Sequence, residues 1–229
     1  MAKKVIKKRK IKLINFLLVL FVFIGLGFCA FLILKIPVKN IIILNTNYLN
    51  DDYILSLGGI RDYPNFFLTR ASQVEKKIAH SEYIRDVKLT KKVGFIFELK
   101  VFENRPLFFD FNQNKYIFDN GKASEEDSIS RNFRVPRLLN YIPDNKYSKF
   151  IKEMANVKNS TVCKISDIEY QPNDYDKDRF LLYMDDGNMV YLTLTKFKMI
   201  NHYNEVLKQL DNHKGILYLD NGNHFQIRD

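Results

Sequence analysis

The chain reads as an α+β protein: a single N-terminal transmembrane helix, a small β-α-α-β-β domain, then a strand-rich α+β domain. Three observations predict this. Residues 13–34 form one uncharged apolar run. Periodicities then follow in the order strand, helix, helix, strand, strand over about 70 residues. Beyond Pro106 the apolar segments shorten and are separated by Asp-, Asn- and Gly-rich turns. The expected boundaries are a basic cytoplasmic tail at 1–12, the membrane helix at 13–34, a first external domain at 35–105 and a β-rich C-terminal domain at 106–229.

Length and composition narrow the classes. The 229 residues allow one large or two small domains, and 46% hydrophobic and 14% aromatic content supports a real core. The formal charge is +10, but seven of the 36 basic residues (Lys3, Lys4, Lys7, Lys8, Arg9, Lys10 and Lys12) lie in the first twelve positions. The chain after Leu34 carries 29 basic against 26 acidic residues. The high pI therefore belongs to a short tail and is weak support for nucleic-acid binding. Two cysteines, Cys29 and Cys163, with one inside the apolar run, exclude a disulfide-stapled scaffold.

Leu13 to Leu34 holds one polar side chain, Asn15. As a helix it would extend ~33 Å, matching a hydrocarbon core of ~30 Å. Seven basic residues precede it and only Lys35 and Lys39 follow before Asp51, so the positive-inside rule places the N-terminus in the cytoplasm and the rest outside. A cleaved signal has an apolar core of ~7–15 residues ending in small residues. This run is longer, Phe28 and Phe31 flank the candidate Ala30, and Phe28 sits where a lipoprotein signal needs a small residue before Cys29. An uncleaved anchor is the preferred reading.

From Val38, the stretch VKNIIIL is β-branched and apolar, as a strand requires. Asn50-Asp51-Asp52 offers an N-cap, Tyr53, Ile54 and Leu57 fall at helical spacing, and Gly58-Gly59 stops the helix. Ser72-Gln73-Val74-Glu75 has the form of a capping box, with Ala71, Val74 and Ile78 on one helical face. Val87-Lys88-Leu89 is extended, Gly94 sits at hairpin spacing, and Phe97, Leu99 and Val101 alternate on one side of the next strand.

After Pro106, Leu107–Phe111 and Lys115–Phe118 read as strands around turn chemistry at Asp119-Asn120-Gly121-Lys122. Residues 122–134 are polar and read as a loop. Phe150, Ile151, Met154 and Val157 mark a helix. Ser166–Tyr170, Phe180–Met184 and Met189–Leu194 are strands, the last two joined by Asp185-Asp186-Gly187-Asn188. Phe197, Ile200, Tyr203, Leu207 and Leu210 suggest a second helix. Gly215–Leu219 and His224–Ile227 close the chain as strands around Asp220-Asn221-Gly222-Asn223.

This arrangement resembles the FtsQ/DivIB family of bacterial division proteins, and the first external unit resembles their polypeptide-transport-associated (POTRA) domain. Ile41-x-Ile43-x-Asn45 sits where the family has an apolar pair followed by Gly; Asn is a reasonable substitute because it tolerates the left-handed conformation. Val101-Phe102-Glu103-Asn104-Arg105-Pro106 resembles the family's Val-x-Glu-Arg-x-Pro. Tyr116-x-x-Asp119-x-Gly121 resembles its hairpin, Val135-Pro136-x-Leu138 its Leu-Pro segment, and Met189–Leu194, the following helix and Ile216–Asn221 its closing pattern. Asn104 stands for the usual Arg and Gly94 for a usual Pro.

The resemblance implies a non-enzymatic divisome scaffold on the outer face of the cytoplasmic membrane at the septum. It also implies partners: small single-pass proteins related to FtsB/DivIC and FtsL, and other divisome proteins received by the first unit. No cofactor and no small-molecule substrate are implied. The physical means would be strand addition at an exposed sheet edge. On the family's pattern the contact strand runs from Tyr218 to Phe225, with Leu219, Asn221, Gly222 and Phe225 at contact positions and the helix face near Lys198 and His202 beside it. The competing reading is that Leu219 and Phe225 pack the domain's own core.

Other chemistries lack their required residues. A sortase-like cysteine transpeptidase would need Cys163 after Thr-Leu-x-Thr; Asn159-Ser160-Thr161-Val162 stands there instead, and a buried thiol at the start of a strand is the expected role. Asp174, Asp176, Asp178 and Asp185 mimic a calcium loop, but Arg179 replaces its required Gly. His80, His202, His213 and His224 lack metal spacing. An export or cell-wall adaptor outside division is a further alternative.

Overall fold

The structure, a computed structural model, describes residues 13–209 and 213–228. The basic tail at 1–12 and Leu210, the last member of the expected second helix, lie outside the described residues. The chain divides into two compact units. One holds the chain up to Leu44, Asp51–Ile78 and Lys88–Lys100; the other holds Asn45–Asn50, Ala79–Val87 and Val101 onward.

The first unit begins with α1 (Leu13–Ile33), which is ~32 Å long and carries no charged residue. Its Ile14–Ile33 stretch is long and apolar enough to cross a membrane and is exposed throughout. The elements β1 (Asn40–Leu44), α2 (Asp51–Gly58), α3 (Ala71–Ile78), β2 (Ile84–Lys92) and β3 (Ile96–Glu103) follow in the expected order. The three strands make one sheet, β1-β3-β2, with β1 parallel to β3 from Asn40↔Ile96 to Leu44↔Lys100. Phe97, Leu99 and Val101 are fully buried, as their alternation requires. From the helices, Ile54, Val74 and Ile78 are buried.

Local chemistry explains the helix ends. Gly59 stands at φ 63° just past α2, and the bonds Ile60 N–H to Leu55 C=O (3.0 Å) and Gly59 N–H to Ser56 C=O (3.1 Å) close a Schellman motif. Asn45 has φ 68°, so this Asn takes the left-handed position that its Gly-like place in the pattern demands. The capping box does not form. α3 starts at Ala71, before Ser72, and the Arg70 carbonyl accepts the first bonds, from Gln73 (3.1 Å) and Val74 (3.3 Å). Glu75 turns away and accepts the Leu89 N–H at 2.7 Å. A long-range backbone donor wins over the local one.

The second unit is built on a nine-stranded sheet. Its strands are β4 (Pro106–Asp110), β5 (Lys115–Phe118), β6 (Ala123–Glu125), β7 (Arg137–Leu138), β8 (Ile165–Tyr170), β9 (Arg179–Met184), β10 (Met189–Thr193), β11 (Gly215–Tyr218) and β12 (His224–Ile227). The order across the sheet is β12-β11-β10-β9-β8-β7-β4-β5-β6. Helix α4 (Asp144–Ala155) adds Phe150 and Met154 to its core, and the 3₁₀ segment Leu194–His202 adds Leu194, Phe197 and Ile200. Phe150 of α4 stacks on Phe180 at 5.0 Å and meets Phe108 at 5.1 Å and Phe197 at 5.4 Å. Burying each such ring contributes about 1.5–3 kcal/mol.

Three expectations fail here, and one further short strand appears. The polar stretch 122–134 contains β6 and a 3₁₀ turn at Ser130–Asn132. Ala-Ser-Glu has no strand propensity of its own, and its pairing to β5 through the Gly121 turn creates the strand. The two-residue β7, flanked in parallel by β4 and β8, joins the two halves of the sheet and is too short to leave a periodic signal. The expected helix from Phe197 is a 3₁₀ segment followed by a short α6 (Tyr203–Leu207). Leu194, Phe197, Ile200 and Tyr203 are buried at a spacing of three, the 3₁₀ repeat, where i and i+3 eclipse. Finally, Cys163 is exposed at the C-terminal end of a helical turn, α5 (Asn159–Val162), and neither buried nor on a strand. Local N–H to C=O bonds from Thr161, Val162 and Cys163 turn this segment instead of extending it.

Glu103, Asn104 and Arg105 act as a junction within the second unit. The Glu103 carboxylate accepts the backbone N–H groups of Asn47 (3.0 Å), Tyr48 (2.8 Å) and Leu49 (3.0 Å). Asn104 donates its side-chain amide to the Glu82 carbonyl at 2.6 Å. The Arg105 guanidinium donates to the Ala155 (2.6 Å) and Val157 (2.7 Å) carbonyls at the end of α4, where a cation also meets the negative end of the helix dipole.

Candidate partner-binding edge

Strand β12 lies at one margin of the nine-stranded sheet. It pairs antiparallel with β11 from Gly215↔Ile227 to Tyr218↔His224. Arg228 N–H donates to the Lys214 carbonyl at 2.9 Å, so the even-numbered residues of β12 face β11. Antiparallel bonding alternates residue by residue, so the N–H and C=O groups of Phe225 and Ile227 point outward from the sheet. Odd residues in and just after β11 show the same phase: Leu219 N–H reaches the Tyr191 carbonyl of β10 at 2.7 Å, and Gly215 N–H reaches Asn188 Oδ1 at 2.8 Å.

The side chains divide between two faces. On the core side lie Leu217, Leu219 and, half-buried against them, Phe225. On the opposite face a ladder of rings crosses the strands. Arg179 sits 3.5 Å from the Tyr191 ring centre, Tyr191 stacks on Tyr218 at 5.4 Å, and Tyr218 stacks on His224 at 4.6 Å with 10° between the planes. Arg179 also holds Asp220 at 2.7 Å, with side chains 14% and 10% exposed. The ladder thus runs from a largely buried ion pair to the open edge.

Each residue expected at the contact can be placed. Tyr218 is half-buried in the ladder, and its hydroxyl donates to Gln226 Oε1 at 3.2 Å. Leu219 is 7% exposed and part of the core. Asn221 and Gly222 are exposed on the bend, with Gly222 at φ 89° and Asn223 at φ 48°. Phe225 rests against the core cluster. Lys198 and His202 are exposed on the 3₁₀ segment. The structure joins neither to the bend by a hydrogen bond or ion pair. His202 Nδ1 is instead 2.9 Å from Glu205 Oε2, and that bond holds the Glu205 carboxyl below its usual range.

Two residues that the resemblance does not place at the contact do reach the bend. Lys196 donates to the Asp220 carbonyl at 3.2 Å and the Leu219 carbonyl at 3.4 Å. Arg179, which stands where a calcium loop needs Gly, is the first residue of β9 and pairs with Asp220. No local pattern announces either one, because both depend on the register of distant strands.

A second network fixes the base of the edge. The Tyr203 hydroxyl donates to Asp186 Oδ2 at 2.7 Å and accepts from the Asn188 amide at 3.0 Å, while Asn188 takes the Gly215 N–H. Burial, reinforced by the bond to Asp186, pushes the Tyr203 hydroxyl well above the ordinary tyrosine range. Gly215 itself permits a close approach: a Cβ there would lie 2.1 Å from the Gln226 carbonyl oxygen. No group of three or more His, Cys, Asp or Glu side chains suited to a metal occurs among the described residues. The Asp174–Asp178 segment is an inter-strand loop in which Lys177 pairs with Asp174 and Lys146 with Asp178.

Comparison with known proteins bears on this geometry. The model of the POTRA domain, FtsQ-type, matches residues 36–104. The cell division protein DivIB of Geobacillus kaustophilus is 25% identical over 193 residues, covering 82% of this chain and 74% of the relative. DivIB of Bacillus subtilis is 24% identical over 228 residues, covering 96% and 85%. DivIB of Brevibacillus brevis is 28% identical over 183 residues, covering 76% and 68%. Among solved structures, the major extracytoplasmic domain of the trans isomer of DivIB from Geobacillus stearothermophilus aligns with 48% of this chain and 96% of its own, at a TM-score of 0.39 and 21% identity.

Proposed function

Since this chain belongs to the FtsQ/DivIB family of bacterial division proteins, we propose that it is a non-enzymatic scaffold of the division machinery at the septum. Its relatives are named cell division proteins across most of their length. Helix α1 anchors it in the cytoplasmic membrane. The seven basic residues before that helix put the N-terminus in the cytoplasm and the bulk of the chain on the outer face.

The partners are small single-pass division proteins of the FtsB/DivIC and FtsL kinds, and capture is by strand addition at β12. The outward backbone of Phe225 and Ile227 carries this reading. Each offers one N–H and one C=O, and a net ~0.5–1.5 kcal/mol per bond gives ~2–6 kcal/mol for the ladder. Since ~4 kcal/mol corresponds to millimolar affinity, the ladder supplies register and side chains must supply strength. Asn221 and Gly222 present the open bend, Tyr218 and His224 present stacked rings, Phe225 offers a half-buried apolar surface, and Leu219 supports it from the core. Lys198 and His202 lie on the adjoining 3₁₀ segment as a basic rim.

The test is recovery of crosslinked partners from detergent-solubilised membranes of dividing cells, with a tagged full-length chain and its Ile227→Pro variant. Ile227 is 53% exposed, and its N–H faces away from β11, so proline there removes an outward donor while leaving the β11 bonds. Small single-pass proteins should be recovered with the parent chain and depleted about tenfold with the variant, the equivalent of one lost bond (~1.4 kcal/mol). Equal recovery from both would reject strand addition, and no recovery from either would reject the scaffold role.

A further inference from the structure

The first unit carries an apolar tip with basic residues around it, beside the end of α1. Asn65 donates its side-chain amide to the Leu34 carbonyl. Phe66 N–H reaches the Ile36 carbonyl, Val38 N–H the Pro64 carbonyl and Lys39 N–H the Phe95 carbonyl, each at 2.9 Å. These bonds fix the loop Tyr63–Leu68 and the turn Val93–Phe95 within a few residues of where the apolar helix stops. At their tips Phe67 is 46% exposed, Leu68 62% and Val93 98%. Such exposure of large apolar side chains is costly in water unless something covers them.

Phe66, Phe67 and Phe95 form one cluster, with ring centres 5.2–6.2 Å apart. Two lysines flank it, Lys39 over Phe95 (5.3 Å) and Lys91 over Phe66 (5.1 Å), and Lys35 lies over Phe31 near the end of α1 (4.4 Å). Lys92 is set apart by its pairing with Glu98. Asp62 is the sole acid between Arg61 and Arg70. Apolar rings with lysine ammonium groups above them suit the boundary of an anionic bilayer, where the rings enter the acyl region and the ammonium groups meet phosphates.

We infer that the tip formed by Phe67, Leu68 and Val93 is a second membrane contact, seated in the headgroup layer of the leaflet that α1 exits. It rests on α1 spanning the membrane. Its role is to hold the first unit flat against the bilayer, in a fixed orientation.

The chain has no tryptophan, so one introduced residue reports its own surroundings. Full-length L68W, V93W, L44W and F23W variants are placed in nanodiscs of phosphatidylglycerol and phosphatidylcholine, without brominated lipid or with lipid brominated near the top of its acyl chains (for L68W, V93W and L44W) or near their ends (for F23W, at mid-membrane). Leu44 ends β1 at the far side from Lys39, ~13 Å beyond Asn40 at ~3.3 Å per residue, and serves as the distant control. The expected result is blue-shifted emission, quenched by bromine, for L68W and V93W, and unshifted, unquenched emission for L44W. Quenching of F23W with none for L68W and V93W overturns the second contact and leaves the anchor standing. Absence of quenching from F23W as well overturns both.

Discussion

The Arg179 guanidinium lies 3.5 Å from the centre of the Tyr191 ring, and the same side chain holds Asp220 at 2.7 Å. One residue at the start of β9 thus binds the bend that follows β11 and starts the ring ladder leading to His224 on the edge strand. This ion pair and the two Lys196 bonds tie Leu219 and Asp220, at the start of the bend, to β9 and the 3₁₀ segment.

Removing one member of that pair should be costly. Both side chains are largely buried, so Arg179→Ala leaves Asp220 a buried, uncompensated carboxylate and should destabilise by about 3–5 kcal/mol. Replacing both by apolar residues of similar volume should recover most of the loss. Denaturant unfolding of the purified full chain in detergent, run as a double-mutant cycle, checks this. Additive losses would show that the pair is not coupled.

Gly215→Ala tests the β11–β12 junction. The added methyl would stand 2.1 Å from a backbone oxygen, which no side-chain rotation relieves, so β12 has to move. A loss of about 1–3 kcal/mol is expected, typical of overpacking, together with faster proteolysis after Tyr218 and weaker partner recovery. Unchanged proteolysis would mean that the strand accommodates the methyl in place.

Much of the fold was legible in the sequence because it rests on local chemistry. The Gly59 stop and the left-handed Asn45 follow from conformational preference at single residues. The strand-helix-helix-strand-strand order and the burial of Phe97, Leu99 and Val101 follow from periodicity. What stayed hidden depends on distant pairing. β6 and β7 are strands only because their neighbours are, and Glu75 abandons its local cap for the N–H of Leu89. At the candidate edge, the strand boundaries and the turn could be read, yet Arg179 and Lys196 could not, since strand register alone brings them to Asp220. In the sequence Tyr203 falls at one more helical apolar position, whereas in the structure its hydroxyl ties Asp186 to Asn188.

That hydroxyl gives a pH dependence with a definite sign. In the unfolded chain tyrosine loses its proton near pH ~10. In the folded chain burial first, and the bond to Asp186 second, keep Tyr203 protonated to higher pH. The folded state therefore binds more protons above ~10, and stability falls as pH rises. The contribution is complete below ~10 and declines above it. Tyr203→Phe should lower stability at neutral pH by about 1–3 kcal/mol, because Asn188 and Asp186 lose a partner, and should flatten the alkaline decline. Unfolding midpoints between pH 7 and 11 for both proteins test it; parallel curves would place the decline elsewhere.

Strand addition is tested most directly by amide exchange at β12, read residue by residue in the full chain with and without a captured partner. In the free protein, the Phe225 and Ile227 amides face outward and should exchange quickly, while those of His224 and Gln226, bonded to β11, should be protected. On partner binding, Phe225 and Ile227 should become protected and their neighbours should change little. Fast exchange at Phe225 and Ile227 in a saturated complex would contradict a partner strand on this edge.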